Sequence, residues 1–438
     1  MSKFFMFVAA MIIASNIVLS QDSSRVSHEA CEELKGAHEG LNETVIEMKN
    51  ALDALRKIKV SGYLQAQFQT TDGAGVGSFA GGNFPAGVSS RFAVRRGRVK
   101  FNYDNDLTQY VLQIDVTQGG VGIKDAYVSV KEPWSRTVAL TAGIFDRPFG
   151  FEISYSSSSR ESPERSRLFQ TLFPGEREIG MKLEMASEMG LFSFVNVKAG
   201  LFNGVLNTAN ENDNTKDFIG RAGFQLPLED MNLAIDGGVS LYSGKVQSNS
   251  KFVNSFSTAT KTHSIDSTAA NNGSTYERSY LGVDVEVYYD LPLLGGLSLR
   301  GEFIQGKQPG TSTSNSFYNP GATSTALYQR NFSGYYVNYI QNIGLSHQFL
   351  LKYDVLDPNS DADATDIGAP GTNLNVADVR YSNVGIGWIY YWDPNVKFVF
   401  YYDMVTNESI NSAASGSLAT FTGDLKDNVF TFRIQYKF

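Results

Sequence analysis

The chain has 438 residues, a formal net charge of -8 and a sequence pI near 5.2, with 13% aromatic residues but only 42% hydrophobic residues overall. After the amino-terminal leader no run of about twenty apolar residues occurs, which excludes a bundle of membrane-spanning helices. The lone cysteine, Cys31, excludes an internal disulfide framework.

Residues 1–20 carry Lys3, an apolar stretch from Phe4 to Val18 and small residues ahead of Gln21, the pattern of a secretory signal peptide. Residues 21–57 follow as a helical segment. Leu34, Leu41, Met48 and Leu55 recur every seven residues, and Val45 and Leu52 fill the positions between them. His38 sits in the seam, and Gly36 and Gly40 weaken its start. Two readings fit a helix from Glu29 to Lys57: a short periplasmic coiled coil that helps subunits assemble, or one amphipathic helix packed on its own barrel. Cys31 lies too far from the expected cleavage point to be a lipid anchor and reads as a free thiol.

From residue 58 to 438 the hydrophobic period changes to two. Ile58, Val60, Leu64, Ala66 and Phe68 alternate with Lys59, Ser61, Tyr63, Gln65 and Gln67. Similar segments begin near Arg96, Tyr110, Ala126 and Val138, then cover 177–186, 191–203, 217–226, 231–243, 278–290, 297–307, 332–341, 346–357, 380–392, 396–406 and 428–438. Connections alternate between short turns, such as Asn105-Asp106 and Asp393 to Asn395, and long loops, such as Arg147 to Glu176 and Gly244 to Glu277. In the last segment Phe430, Phe432, Ile434, Tyr436 and Phe438 alternate with Thr431, Arg433, Gln435 and Lys437. This pattern predicts an all-β protein: a transmembrane antiparallel barrel of about sixteen strands, apolar toward lipid and polar inside. The expected location is the outer membrane of a Gram-negative bacterium. Tyr436 and Phe438 are the expected assembly signal, read by barrel-assembly machinery. Aromatics near strand ends, among them Tyr335, Tyr336, Tyr339, Tyr390, Tyr391, Trp392, Tyr401 and Tyr402, are expected to form interfacial girdles.

A barrel of this size is too wide for wall side chains to fill and encloses an aqueous channel. The loop from Arg147 to Glu176 holds a dense charge cluster that includes Arg160, Arg165 and Arg167, and Arg177 follows it. Folded inward, it would set the diameter and field of the pore, and basic rings favour anions. Arg96, Arg98 and Lys100 are expected on the facing wall, because Val99, Phe101 and Tyr103 take the lipid side. The expected function is passive diffusion of small hydrophilic solutes and ions, phosphate and other anions among them. The alternative is a structural or adhesin barrel acting through its long loops. Catalysis is not expected: His347 and Ser346 are adjacent on a strand and face opposite ways. No metal motif, cofactor site or nucleic-acid patch is visible.

Gly143 to Gly150 leading into Pro174 to Gly180, with Arg95-Arg96-Gly97-Arg98, Phe202-Asn203-Gly204 and Lys352 to Asn359, resembles the phosphate-selective porin O and P family from about Val60 to Phe438. The resemblance implies a homotrimer of sixteen-stranded outer-membrane porins with an inward-folded third loop. It also implies basic pore residues, carried over to Arg96, Arg98, Arg165, Arg167 and Arg177. This chain departs from the phosphate-selective pattern in placing Asp115, Asp125, Glu184, Asp284, Glu286, Glu302 and Asp354 at lumen positions.

Overall fold

The structure, a computed structural model, describes residues 28–186, 193–206, 210–316 and 325–438. The expected signal at 1–20 lies outside these residues. Two units divide the chain, Met1–Ile58 and Lys59–Phe438. In the first, α1 spans His28–Arg56, close to the expected helix. Leu41, Val45, Met48 and Leu52, the described seam residues, remain more than half exposed. Burying such a stripe is what stabilises an amphipathic helix.

The second unit is built from eighteen strands and a short helix: β1 (Ile58–Thr71), β2 (Ser90–Asn105), β3 (Thr108–Thr117), β4 (Gly120–Lys131), β5 (Val138–Asp146), α2 (Arg167–Leu172), β6 (Arg177–Ala186), β7 (Val195–Phe202), β8 (Asp217–Leu228), β9 (Leu233–Gln247), β10 (Val253–Ser257), β11 (Thr262–Asp266), β12 (Thr275–Leu291), β13 (Gly295–Gly310), β14 (Leu327–Ile343), β15 (His347–Asp357), β16 (Tyr381–Tyr391), β17 (Val396–Asn407) and β18 (Val429–Lys437). Sixteen of them form a closed antiparallel barrel, because β9 pairs directly with β12 and β18 returns to pair with β1. These are the sixteen segments expected from the sequence. The remaining two, β10 and β11, are a hairpin inside the loop from Gly244 to Glu277. There β10 also runs parallel to the start of β14, with Val253 opposite Leu327.

Closure depends on register. Tyr63 lies opposite Lys437, and the pairing continues to Thr71 opposite Val429. Gly62 and Phe438 exchange two backbone hydrogen bonds of 3.0 Å, which extends the seam to the last residue. Thr431, Arg433 and Gln435 are buried inward, while Ile434, Tyr436 and Phe438 face out. Outside, Val283, Phe303, Tyr335 and Tyr353 belong to an exposed apolar belt on consecutive strands. Every backbone group in such a wall must be paired within the sheet, because lipid offers no hydrogen bonds.

Some details differ from expectation. Tyr336 and Tyr401 are not girdle residues, since both are buried inside the barrel, and half-buried Tyr391 also turns inward, donating to Gln348. Tyr336 donates to the Glu302 carboxylate at 2.5 Å, and the Tyr401 ring fills the space over Gly385 and Gly387. Glu302 supplies the acceptor that a buried phenol hydroxyl such as that of Tyr336 needs. At the other end of the wall, His347 stacks on Trp388 and Tyr390, with ring centroids 5.7 and 5.1 Å away.

The long loops are ordered by packing rather than left as solvated tails. Ile367, Leu374, Val379, Ile410 and Leu418 form a small apolar core between the last two of them. His263 on β11 contacts Asp378 at 3.3 Å, and Arg330 donates to the same carboxylate at 2.7 Å. Burial pushes the Asp378 carboxyl up, but Arg330 and His263 more than offset this and hold it below its usual range. Its stabilising share is therefore present above the unfolded carboxylate value and lost only as pH falls through the lowered one.

A side chain at Gly62 would meet the Arg98 carbonyl at 2.3 Å and the Phe438 ring at 2.7 Å. Gly62→Val, or deletion of Phe438, is expected to lower the fraction of protein that migrates as a compact band before heating in detergent gels. Wild-type heat-modifiability in both variants would show that this seam does not govern closure.

Candidate functional site

The residues between β5 and β6 do fold into the barrel. Their anchor is apolar. Phe149, Ile153, Leu168, Phe169, Leu172 and Phe173 pack against inward-facing Phe202, Ile219, Tyr242, Tyr280, Ile304 and Phe332. Leu168 and Phe169 come from α2, which Ser166 caps by accepting from the Phe169 amide. The wall is notched to receive them: a side chain at Gly334 would lie 2.7 Å from Leu168. Burying a Leu or Phe contributes roughly 1.5–3 kcal/mol each, so this cluster alone commits the loop to the lumen.

Polar groups then fix its height and rotation. Glu302 on β13 accepts from the amides of Phe151 at 3.0 Å and Glu152 at 2.6 Å. Asp354 on β15 accepts from the Arg167 amide at 3.1 Å, and Lys397 on β17 donates to the Arg160 carbonyl at 3.0 Å. Ser157 meets Tyr63 at 2.5 Å and Arg98 at 3.0 Å, and Arg300 reaches Glu161 at 3.2 Å. Glu164 is the hub. It pairs with Arg95 at 2.9 Å, Arg96 at 2.6 Å and Arg433 at 2.9 Å, joining the loop to β2 and β18.

Beside the loop, toward the short-turn end, two cavities remain open. The first, about 330 Å³, is lined by Arg98, Lys100, Arg165, Arg177 and Lys182 against Asp125, Asp146 and Glu184, five cations to three carboxylates. The second, about 560 Å³, has Lys198 and Arg221 against Asp236 and Glu286. Both include Ser154, so the loop segment around it separates them.

The residues singled out in the sequence divide accordingly. Arg98, Lys100, Arg165 and Arg177 line the first cavity. Arg177 is held by Asp125 at 2.8 Å, Asp146 at 2.9 Å and Glu176 at 3.3 Å. Arg165 donates to the carbonyls of Glu152, Ile153 and Tyr155 and pairs with Glu176, so it braces the loop as well as facing the cavity. The other three do not join them. Arg96 is buried in the Glu164 hub. Arg160 is buried among loop carbonyls, with contacts of 3.3 Å to Ser162 and Pro163. Arg167 lies on a different side of the loop, stacked on Phe79 at 4.5 Å and Tyr381 at 3.3 Å. The alternation rule places wall residues correctly, but it carries no information on which way a loop arginine turns. Lys182 was missed, although its place on an alternating strand was readable.

A closed sixteen-stranded barrel, apolar outside, charged inside and narrowed by its own inward loop, is the architecture of an outer-membrane porin. The chain belongs to the phosphate-selective porin O and P family, whose model matches residues 80–438. Family and fold point to a channel rather than an enzyme. Among solved structures, an anion-selective porin from Comamonas acidovorans aligns with a TM-score of 0.52 at 11% identity, covering 87% of this chain and 99% of that one. Pseudomonas putida OprB aligns at 0.54 with 9% identity, covering 88% and 96%. The outer membrane channel DcaP of Acinetobacter baumannii aligns at 0.51 with 13% identity, covering 87% and 97%. At these identities the likeness is one of fold. No curated protein matches the chain in sequence.

Removing the Glu164 charge strands buried Arg96 and Arg433, a change that costs about 3–5 kcal/mol when one partner of a buried pair is lost. Glu164→Gln is expected to loosen the loop and give larger, noisier single-channel currents in planar bilayers. Unchanged conductance and noise would remove Glu164 from the role of anchor.

Proposed function

We propose that this porin passes small hydrophilic solutes with a preference for anions, phosphate among them, and that the first cavity sets the preference. The observation that carries this is its excess of cations, while the second cavity is balanced. Charges in a confined, partly desolvated pore act on ions more strongly than the same charges in open water. Carboxylates on the outer loops, such as Asp361 and Asp363, are screened over about 8 Å at physiological ionic strength. The acidic overall charge and the basic cavity are thus compatible. In this reading Arg98, Lys100, Arg177 and Lys182 face the passing ion, with Arg165 both lining and bracing. Arg96, Arg160 and Arg167 hold the loop in place. The anion-selective porin of Comamonas acidovorans, which shares the fold, is consistent with such a wall.

Lys100 is the lining cation best suited to a test, because it makes the fewest structural contacts. Lys100→Glu combined with Lys182→Glu is expected to move the zero-current potential in a potassium chloride gradient toward cation preference by several-fold in permeability ratio. A wild-type channel that is already cation-selective, with no shift in the double variant, would exclude the first cavity as the filter.

We further propose that three chains assemble and that α1 contributes. The family supports a trimer, and the exposed seam at Leu41, Val45, Met48 and Leu52 has the spacing of a coiled coil. Tyr436 and Phe438 serve as the signal for barrel-assembly machinery in this reading. Cross-linking of membranes is expected to trap a three-chain species. Deleting residues 29–57 should reduce its yield while leaving conductance per barrel unchanged. A monomer as the sole product in mild detergent would reject the assembly.

A further inference from the structure

The second cavity holds a carboxylate with an unmet need. Glu286 on β12 is 1% exposed and lines the cavity, yet its Oε1 has no hydrogen-bond partner among the described residues. Its neighbour across the ladder on β9 is Asp236, which lines the same cavity. Directly opposed side chains of like charge sit about 5 Å apart and destabilise a sheet. On its other flank Glu286 is opposite Arg300. Arg300, however, turns its guanidinium to Glu161 at 3.2 Å and over the rings of Tyr155 and Tyr288. The two cations of the cavity are also engaged: Arg221 pairs with Asp284, and Lys198 lies 3.1 Å from Glu184. An isolated buried carboxylate is costly unless something pairs with it.

We propose that this cavity is a binding site for a primary alkylammonium group, held between Glu286 and Asp236. Phe151 and Phe194 line the same space, and ring faces attract ammonium ions once water is excluded. A hard metal ion requires six or more oxygen ligands, which two carboxylates on adjacent strands do not supply. At about 560 Å³ the cavity has room for a small organic cation. The partition at Ser154 sets this site beside the basic cavity, so a solute bearing both an ammonium and an acidic group finds a complementary surface on each side. The proposal rests on the lumen being a solute path, but the binding itself does not require conduction.

Isothermal titration of putrescine into the purified, heat-modifiable protein in detergent tests it. Saturable binding is expected in wild type, weakened about tenfold or more, or at least about 1.4 kcal/mol, in Glu286→Gln and Asp236→Asn. Absence of saturable binding, equal affinity in the folded variants, or the same heat from sodium chloride at matched ionic strength would overturn the proposal. If Glu286→Gln does not fold, Asp236→Asn decides alone. Planar-bilayer recording separates the two readings. A conducting barrel that fails to bind putrescine refutes this site, and a binding barrel that never conducts refutes the diffusion channel.

Discussion

A ring of sixteen strands encloses more space than its own wall side chains can fill, and the rest of this structure follows from that constraint. The loop between β5 and β6 supplies the missing volume. It does so with an apolar core placed inside the lumen, where Phe149, Phe169 and Phe173 meet Tyr242, Tyr280 and Phe332. Charge pairs such as Glu164 with Arg96 and Arg433 then act as guides rather than as the main driving force. Buried ion pairs roughly balance their desolvation cost, whereas apolar burial is a net gain. The division leaves two cavities of different character on one side of the loop, which is how a single barrel presents both a basic and a charge-balanced face to what enters it.

Much of this was legible because alternation is a direct image of geometry. The final strand shows it: Thr431, Arg433 and Gln435 point in and Ile434, Tyr436 and Phe438 point out, as their polarity alone indicates. The inward acids, Asp125, Asp284, Glu286, Glu302 and Asp354, were placed by the same rule. What the rule missed has physical causes. Phe202, Ile219, Tyr242, Tyr280 and Ile304 are apolar and yet inward, because the loop core covers them. Tyr336 and Tyr401 have the sequence context of girdle residues, since an aromatic near a strand end looks alike on either face of the wall. The hairpin of β10 and β11 sits in a stretch rich in Ser and Thr, where pairing comes from docking against β14 and the Asn373 and Asp378 side chains. Arg160 and Arg167 turn to loop carbonyls and to rings, contacts that exist only after the loop has folded.

One irregularity in the wall shows how finely the loop is held. Along β3 and β4 the pairing slips by one residue, so that Gln113 faces Asp125 while Ile114 faces Ile123. Lys124 is left over, and the bulge directs it inward to the Gly175 carbonyl at 2.7 Å and to the Glu176 carboxylate. Below it Asp125 and Tyr127 point in, and above it Val121 and Ile123 point out. The strand changes phase at that point, which is why its upper half escapes a simple reading of alternation.

The bulge also makes the gene unevenly sensitive to small edits. In-frame loss of the codon for Lys124 would restore uninterrupted alternation through β4, leaving the membrane wall intact and only the loop contact missing. Loss of a codon away from Lys124 and Asp125 would instead put one part of the strand out of phase with the wall. Natural variation in chain length within this strand should therefore collect at the bulge, and the size of the loop's foothold on the wall can drift without any cost to insertion in the membrane.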